Sequence, residues 1–207
     1  MSENFFQVIA YPILIAAVLV MLVRMRGHRI QVLFGAVFAI YLIEVAAVTL
    51  FPMPVDGLMA EDFRRSGISP LEFVNLVPGI PGFTLSVGDP QVIQNVIVGI
   101  PFGFGAFFVL PGVPARRVLL SGLLAFIGIE TLQAAIGAMI GFPYRVIDVN
   151  DVLANSVGVA IGVVAFIAFA AAYRAADANG RLGDTALLGY IRQVVSETRL
   201  RAQASVA

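Results

Sequence analysis

Glu130 and Gln133 stand three residues apart, so on a helix they share one face and form one polar stripe. A second polar run follows as Arg145, Asp148, Asp151 and Asn155, then Gly158 and Gly162; from Asp148 onward the intervals are three, four, three and four, which hold one helix face toward its neighbours. Asn95, Gly99 and Gly103 repeat every four residues, and Asn75 lies upstream of them. These residue types offer definite chemistry. Arginine presents a planar fork for phosphate or carboxylate, while three carboxylates, Glu130, Asp148 and Asp151, could bind a divalent cation or act as acid and base. Nothing in the sequence chooses among these uses. Asn75, Asn95, Glu130, Gln133, Arg145, Asp148, Asp151 and Asn155 are therefore the expected ligand-binding set, with Glu130, Asp148 and Asp151 as the candidates for any catalytic role.

Each residue also has a plain structural use. The glycines let helix backbones approach closely, the asparagines can bond between helices, and either aspartate can cap a helix start. Arg145 can serve as the counter-ion of Glu130 or of an aspartate. The shared depth of an acid pair, an arginine, a glutamate and several amides makes one common site the economical expectation.

The elements that position these groups are membrane helices. The 207 residues are 59% hydrophobic with a mean hydropathy of +0.94, against roughly 45–50% apolar residues in a soluble domain. A crossing of roughly 30 Å of hydrocarbon needs about 20 mostly apolar residues, and five such runs occur, at 5–23, 31–51, 92–110, 118–140 and 152–173. The first lacks a basic leader and a small-residue cleavage site, so it reads as a retained span. Arginines crowd the connections after spans one, three and five, while the other side has Arg64, Arg65 and Arg145. Because cytoplasmic loops carry the positive excess, the N-terminus is expected outside and the C-terminus inside. An ionisable group within a span costs about 2.5–3.5 kcal/mol on insertion scales and normally finds a partner, which marks Glu44 in span two as well as Glu130.

The chain thus divides into two N-terminal spans (1–51), a proline-rich outer segment (52–91), three further spans (92–173) and a cytoplasmic tail (174–207). The outer segment carries six of the eleven prolines, and its stretch 76–83 is expected to rest on the membrane or dip into the bundle. From Asp184 the tail places Leu187, Leu188, Ile191, Val194 and Val195 near one face, as in an amphipathic helix on the cytoplasmic surface. The fold class is an all-α polytopic bundle of about five spans.

Several functions are excluded. Thirteen acidic residues balance thirteen basic ones, all arginine, which leaves no basic surface for nucleic acid. Cysteine is absent, so there is no disulfide, thiolate nucleophile or cysteine-built metal site. The one histidine, His28, falls among arginines on the expected cytoplasmic side, and no metal or cofactor is assigned. No repeat divides five spans into inverted halves, which disfavours a secondary transporter.

The order of these motifs resembles the VanZ-like family. The resemblance is carried by Glu130-x-x-Gln133, by the run from Arg145 through Asp148, Asp151, Asn155 and Gly158 to Gly162, by Asn75-Leu-Val-Pro78, and by Asn95 followed by Ile100-Pro101-Phe102-Gly103. The chain departs from that pattern at Gly79, in place of a bulky residue, and at Phe126, in place of serine. The resemblance implies a small polytopic protein of the cell membrane, related to one linked to low-level resistance to teicoplanin, a lipid-bearing glycopeptide. The leading expectation is an extracytoplasmic polar site for a membrane lipid, a lipid-linked envelope precursor or a lipoglycopeptide, with Arg145 as anion clamp. A hydrolase or transferase acting on a lipid phosphate or cell-wall precursor, and a structural partner of another envelope protein, are the alternatives.

Overall fold

The computed structural model describes residues 3–53, 57–79 and 90–204, and the chain is a helix bundle. Five helices are long and apolar enough to cross a membrane: α1 (Glu3–Arg24) and α2 (Arg29–Leu50), then α4 (Pro90–Val109), α5 (Ala115–Ile140) and α6 (Val149–Ala178). Between the first pair and the rest lies a short helix, α3 (Gly57–Ser66), and after a tight hinge the bundle closes with α7 (Ala186–Ala204). The five expected spans are all present. Their ends run further than apolarity alone indicates, because charge does not stop a helix: α5 starts just after Pro114 and takes in Arg116 and Arg117, and α6 continues to Ala178.

The tightest packing is the crossing of α4 with α6. A methyl group built on Gly99, Gly103, Gly158 or Gly162 would lie only 2.1–2.2 Å from a backbone oxygen of the facing helix. The two backbones therefore touch, with room for weak Cα–H···O contacts that larger residues would abolish. Farther along the same pair, Phe107 stacks on Phe166 with ring centres 4.0 Å apart, and both are fully buried. Gly122 brings α5 against the side chain of Val159 of α6, where a methyl group would lie 2.8 Å from it. Pro101 lies inside α4 and has no N–H to give; in the preceding turn the Val98 carbonyl accepts the Tyr41 hydroxyl at 2.7 Å, tying α2 to the disturbed turn.

One departure from an all-helical expectation is small but positions the site. Val74–Asn75 (β1) and Ile147–Asp148 (β2) pair in parallel, Asn75 opposite Asp148, joining the segment before α4 to the segment before α6. A single 3-10 turn at Pro70–Phe73, closed by a capping box between Ser69 and Glu72, leads into β1. Of the stretch 76–83, residues 80–83 lie outside the described residues.

The tail is helical, as expected, and turns part of its apolar face onto the bundle, while Leu187 of that face stays exposed. Val194 and Val195 are fully buried, the Tyr190 hydroxyl donates to the Phe108 carbonyl, and Tyr173 donates to the Leu188 carbonyl at 2.6 Å. Arg192 forms a two-pronged bond to Asp177 at 2.7 and 2.8 Å, and that bond raises the guanidinium pKa further above its ordinary value. This contact closes the end of the bundle opposite β1 and β2.

Candidate functional site

The polar residues gather where α5 ends and α4 and α6 begin. Gly141, at φ 87°, terminates α5 and turns the chain through a short connection into β2. Asp148 then caps α6: its carboxylate accepts the Asn150 N–H at 2.8 Å, satisfying one of the free donors of the first turn. The same oxygen, Oδ1, accepts the Asn75 side-chain amide at 2.8 Å. Asn75 and Asp148 are buried, at 4% and 7% exposure, so this bond is shielded from competing donors. Asn75 Oδ1 in turn accepts the Val77 N–H at 3.1 Å, and Asn150 Oδ1 accepts the Gly79 N–H at 3.2 Å, which fastens the β1 segment over the start of α6.

Glu130 reaches this group from α5, its Oε2 accepting the Asp148 N–H at 3.1 Å. One turn along α6, Asp151 collects donors from α4: Asn95 Nδ2 at 2.7 Å, and Gln91 Nε2 at 3.0 and 3.1 Å from its two oxygens. A further turn along, Asn155 Nδ2 donates to the Asp151 carbonyl at 2.8 Å. The Asn155 Oδ1 is buried and accepts no hydrogen bond among the described residues. Six of the eight expected residues thus gather in two bonded groups at the start of α6: Asn75 and Glu130 on Asp148, and Asn95 and Asn155 on Asp151.

Gln133 and Arg145 point elsewhere. Gln133 Nε2 donates to the Thr49 carbonyl at 2.8 Å, and Arg145 donates to the carbonyls of Phe51 at 2.6 Å and Val48 at 3.4 Å. Tyr144, whose phenol is pushed up by burial and so stays a donor, reaches the Leu50 carbonyl at 3.4 Å. Residues 48–51 are the last of α2 and its cap, where helix carbonyls lack partners within the helix and carry the negative end of the dipole. Arg145 therefore neutralises a helix end, and among the described residues it forms no ion pair with Glu130 or an aspartate.

Two contributors were not anticipated. Gln91 lies four residues before Asn95 and so extends the Asn95, Gly99, Gly103 face by one turn; that spacing was the available signal. Asn150, buried at 3% exposure, lies between the two aspartates in sequence, and only its partner Gly79 discloses its use. Glu44 is held apart from the cluster, accepting Gln7 Nε2 at 3.1 Å and the Tyr11 hydroxyl from α1. No group of three or more metal-binding side chains converges among the described residues.

On one side of the α4–α6 pair lies an apolar groove of about 750 Å³, lined by Val92, Ile93 and Val96 from α4 and Leu153, Val157 and Ala160 from α6. Its walls lie on the same turns of α4 and α6 as Gln91, Asn95, Asp151 and Asn155, but none of those polar residues lines it.

Five apolar helices define a multi-spanning membrane protein, with a polar cluster at the end of the bundle where α4 and α6 begin and α5 ends. The family profile named VanZ/LLP1 matches residues 38–170, well over half of the chain, and the chain belongs to that family. The match contains every residue of the cluster and leaves out α1 and α7 entirely. No curated protein and no solved structure matches the chain.

Proposed function

We propose that this VanZ-like protein holds a lipid-linked or lipid-bearing molecule of the cell envelope, with the polar part at the cluster of Asn75, Asn95, Glu130, Asp148, Asp151 and Asn155. The hydrocarbon part lies in the α4–α6 groove. The observation that carries this reading is the proximity of the two features: a partly buried polar set and an apolar groove occupy the same turns of α4 and α6. Amphiphiles need both, and pockets of roughly 300–1,000 Å³ suit small ligands. With arginine concentrated after α1, α4 and α6, the cluster faces the outside of the membrane in this reading, where lipid-bearing glycopeptides act. Teicoplanin resistance is one role such a site would serve.

The test is saturable binding of an acylated and a deacylated glycopeptide, and of envelope lipids, to purified protein, repeated with Val157→Trp to fill the groove. Acyl-dependent binding lowered about tenfold or more by the filled groove supports the proposal. Binding that ignores both the acyl chain and the groove would sink it.

A second reading treats the cluster as a brace for docking another envelope protein. Its support is the degree of pairing, since Asn75, Asp148, Gln133 and Arg145 are all engaged with protein groups. Under that reading, wild-type protein binds no amphiphile saturably and co-purifies with a partner that Asn75→Leu releases.

A further inference from the structure

We propose that the end of the bundle opposite the polar cluster is a docking surface for anionic phospholipid headgroups, gripped through their phosphates by unpaired arginines on α1, α2, α5 and α6. This surface is independent of the amphiphile-binding reading above, and either stands if the other fails.

The zero net charge of the chain hides a division. Ten of the thirteen arginines, but only three of the thirteen acids, fall where α1, α4 and α6 finish and α2 and α5 start, or in α7, which leaves a surplus of seven positive charges. Bonds across the bundle bring these ends together. Gln31 at the start of α2 donates to the Val109 carbonyl at the end of α4 at 3.0 Å, and Tyr190 of α7 donates to the neighbouring Phe108 carbonyl. Ala115 and Val118 of α5 pack into the core that contains Ala170 and Tyr173 of α6, which sets Arg116 and Arg117 at the end that carries Arg174.

The acids at this end are already engaged. Arg192 takes two of them, Asp177 at 2.7 Å and Asp184 at 3.7 Å, while Glu197 accepts Gln193 Nε2 at 2.8 Å. Among the described residues, Arg24, Arg29, Arg116, Arg117, Arg174 and Arg181 form no ion pair, and all are exposed except the partly exposed Arg174. Helix stabilisation does not explain them either. Arg29 opens α2, and Arg116 and Arg117 lie in the first turn of α5, where the dipole favours acids and neither helix has one. The anion that answers these charges comes from outside the chain.

The neighbouring side chains identify that anion. Val23 beside Arg24, and Leu119 and Leu120 one turn from Arg116 and Arg117, are exposed apolar residues of membrane-spanning helices. Such side chains face hydrocarbon, so the guanidinium groups next to them lie at headgroup depth, with their aliphatic stems along the apolar surface. The unpaired arginines are spread over four helices at that depth, not along one aqueous face. A guanidinium fork takes two oxygens of a phosphate, and an anionic lipid brings the net negative charge that a zwitterionic one lacks.

The experiment titrates the purified full chain, in a neutral detergent at low salt, with short-chain phosphatidylglycerol, phosphatidylcholine of the same acyl length, and glycerol phosphate, with binding read by calorimetry. Phosphatidylglycerol is expected to bind tenfold or more tightly than either of the others. Arg116→Gln combined with Arg117→Gln weakens it threefold or more, whereas Arg64→Gln combined with Arg65→Gln, on α3, leaves it unchanged. Equal binding of the two lipids, or saturable binding of neither, overturns the proposal. Glycerol phosphate binding as tightly as phosphatidylglycerol overturns the lipid in favour of a soluble anion. Equal losses in the two double variants overturn the placement and leave only general charge attraction. Should the α5 variant fail to fold, Arg24→Gln combined with Arg29→Gln takes its place with the same expected loss.

Discussion

Where α4 crosses α6, backbone meets backbone through four glycines; where α1 lies along α2, an apolar helix is joined by a few side-chain bonds to Glu44. In lipid neither pair gains from burying apolar surface, since hydrocarbon surrounds both the separated and the joined helices. Close packing and polar contact are the two remaining ways to associate, and this chain uses one for each pair. The glycine seam lies on the same two helices as the Asp151 cluster. The α1 contact leaves large side chains such as Val8 and Ile13 turned outward, and α1 lies outside the family match. The polar cluster is thus built on the pair whose backbones pack in contact, while the peripheral helix is attached by side-chain bonds.

The difference can be broken deliberately. Gly158→Leu forces a side chain into the Val96 carbonyl and is expected to cost about 3 kcal/mol or more, seen as loss of the folded peak in size-exclusion chromatography. A wild-type melting temperature for this variant would refute the seam. Asn75→Leu removes the donor from buried Asp148 and should cost about 1–3 kcal/mol by thermal unfolding, with faster hydrogen exchange at 74–79. Glu44→Leu should cost about 0.6–2 kcal/mol, and the loss should be local: exchange rises in α1 while α4 and α6 stay protected. Uniform exchange across all helices would show that α1 is integral to the bundle. At the small end and with opposite sign, Gly128→Ala meets open space on α5 and is expected to stabilise by roughly 0.5–1 kcal/mol, measured as a higher melting temperature.

How much of this was readable beforehand follows from what leaves a mark in sequence. The glycine seam was legible because helical packing repeats every three or four residues, and Gly99, Gly103, Gly158 and Gly162 keep that interval. The acid and amide face of α6 was legible for the same reason. The fate of Gln133 and Arg145 was not, because their acceptors are the carbonyls of Val48, Thr49 and Phe51, and a backbone carbonyl is the same whatever residue bears it. The pairing of Asn75 with Asp148 depends on two two-residue strands 73 positions apart, too short to show alternation. The face of α7 was visible from its spacing, whereas what that face meets depends on Phe108 and the other helix ends.

The grip on the end of α2 has a consequence for length. Donors from Gln133, Tyr144 and Arg145 meet four consecutive carbonyls, 48–51, so they act as a stop against which the helix is measured. Adding or deleting one residue inside α2 would advance it by about 1.5 Å and rotate its end by about 100°, misaligning every one of those bonds at once. At its other end Gln31 is fastened to the Val109 carbonyl at 3.0 Å. Held at both ends, α2 works as a gauge rod for the bundle, and single-residue insertions should be tolerated in the connection after it far better than within it.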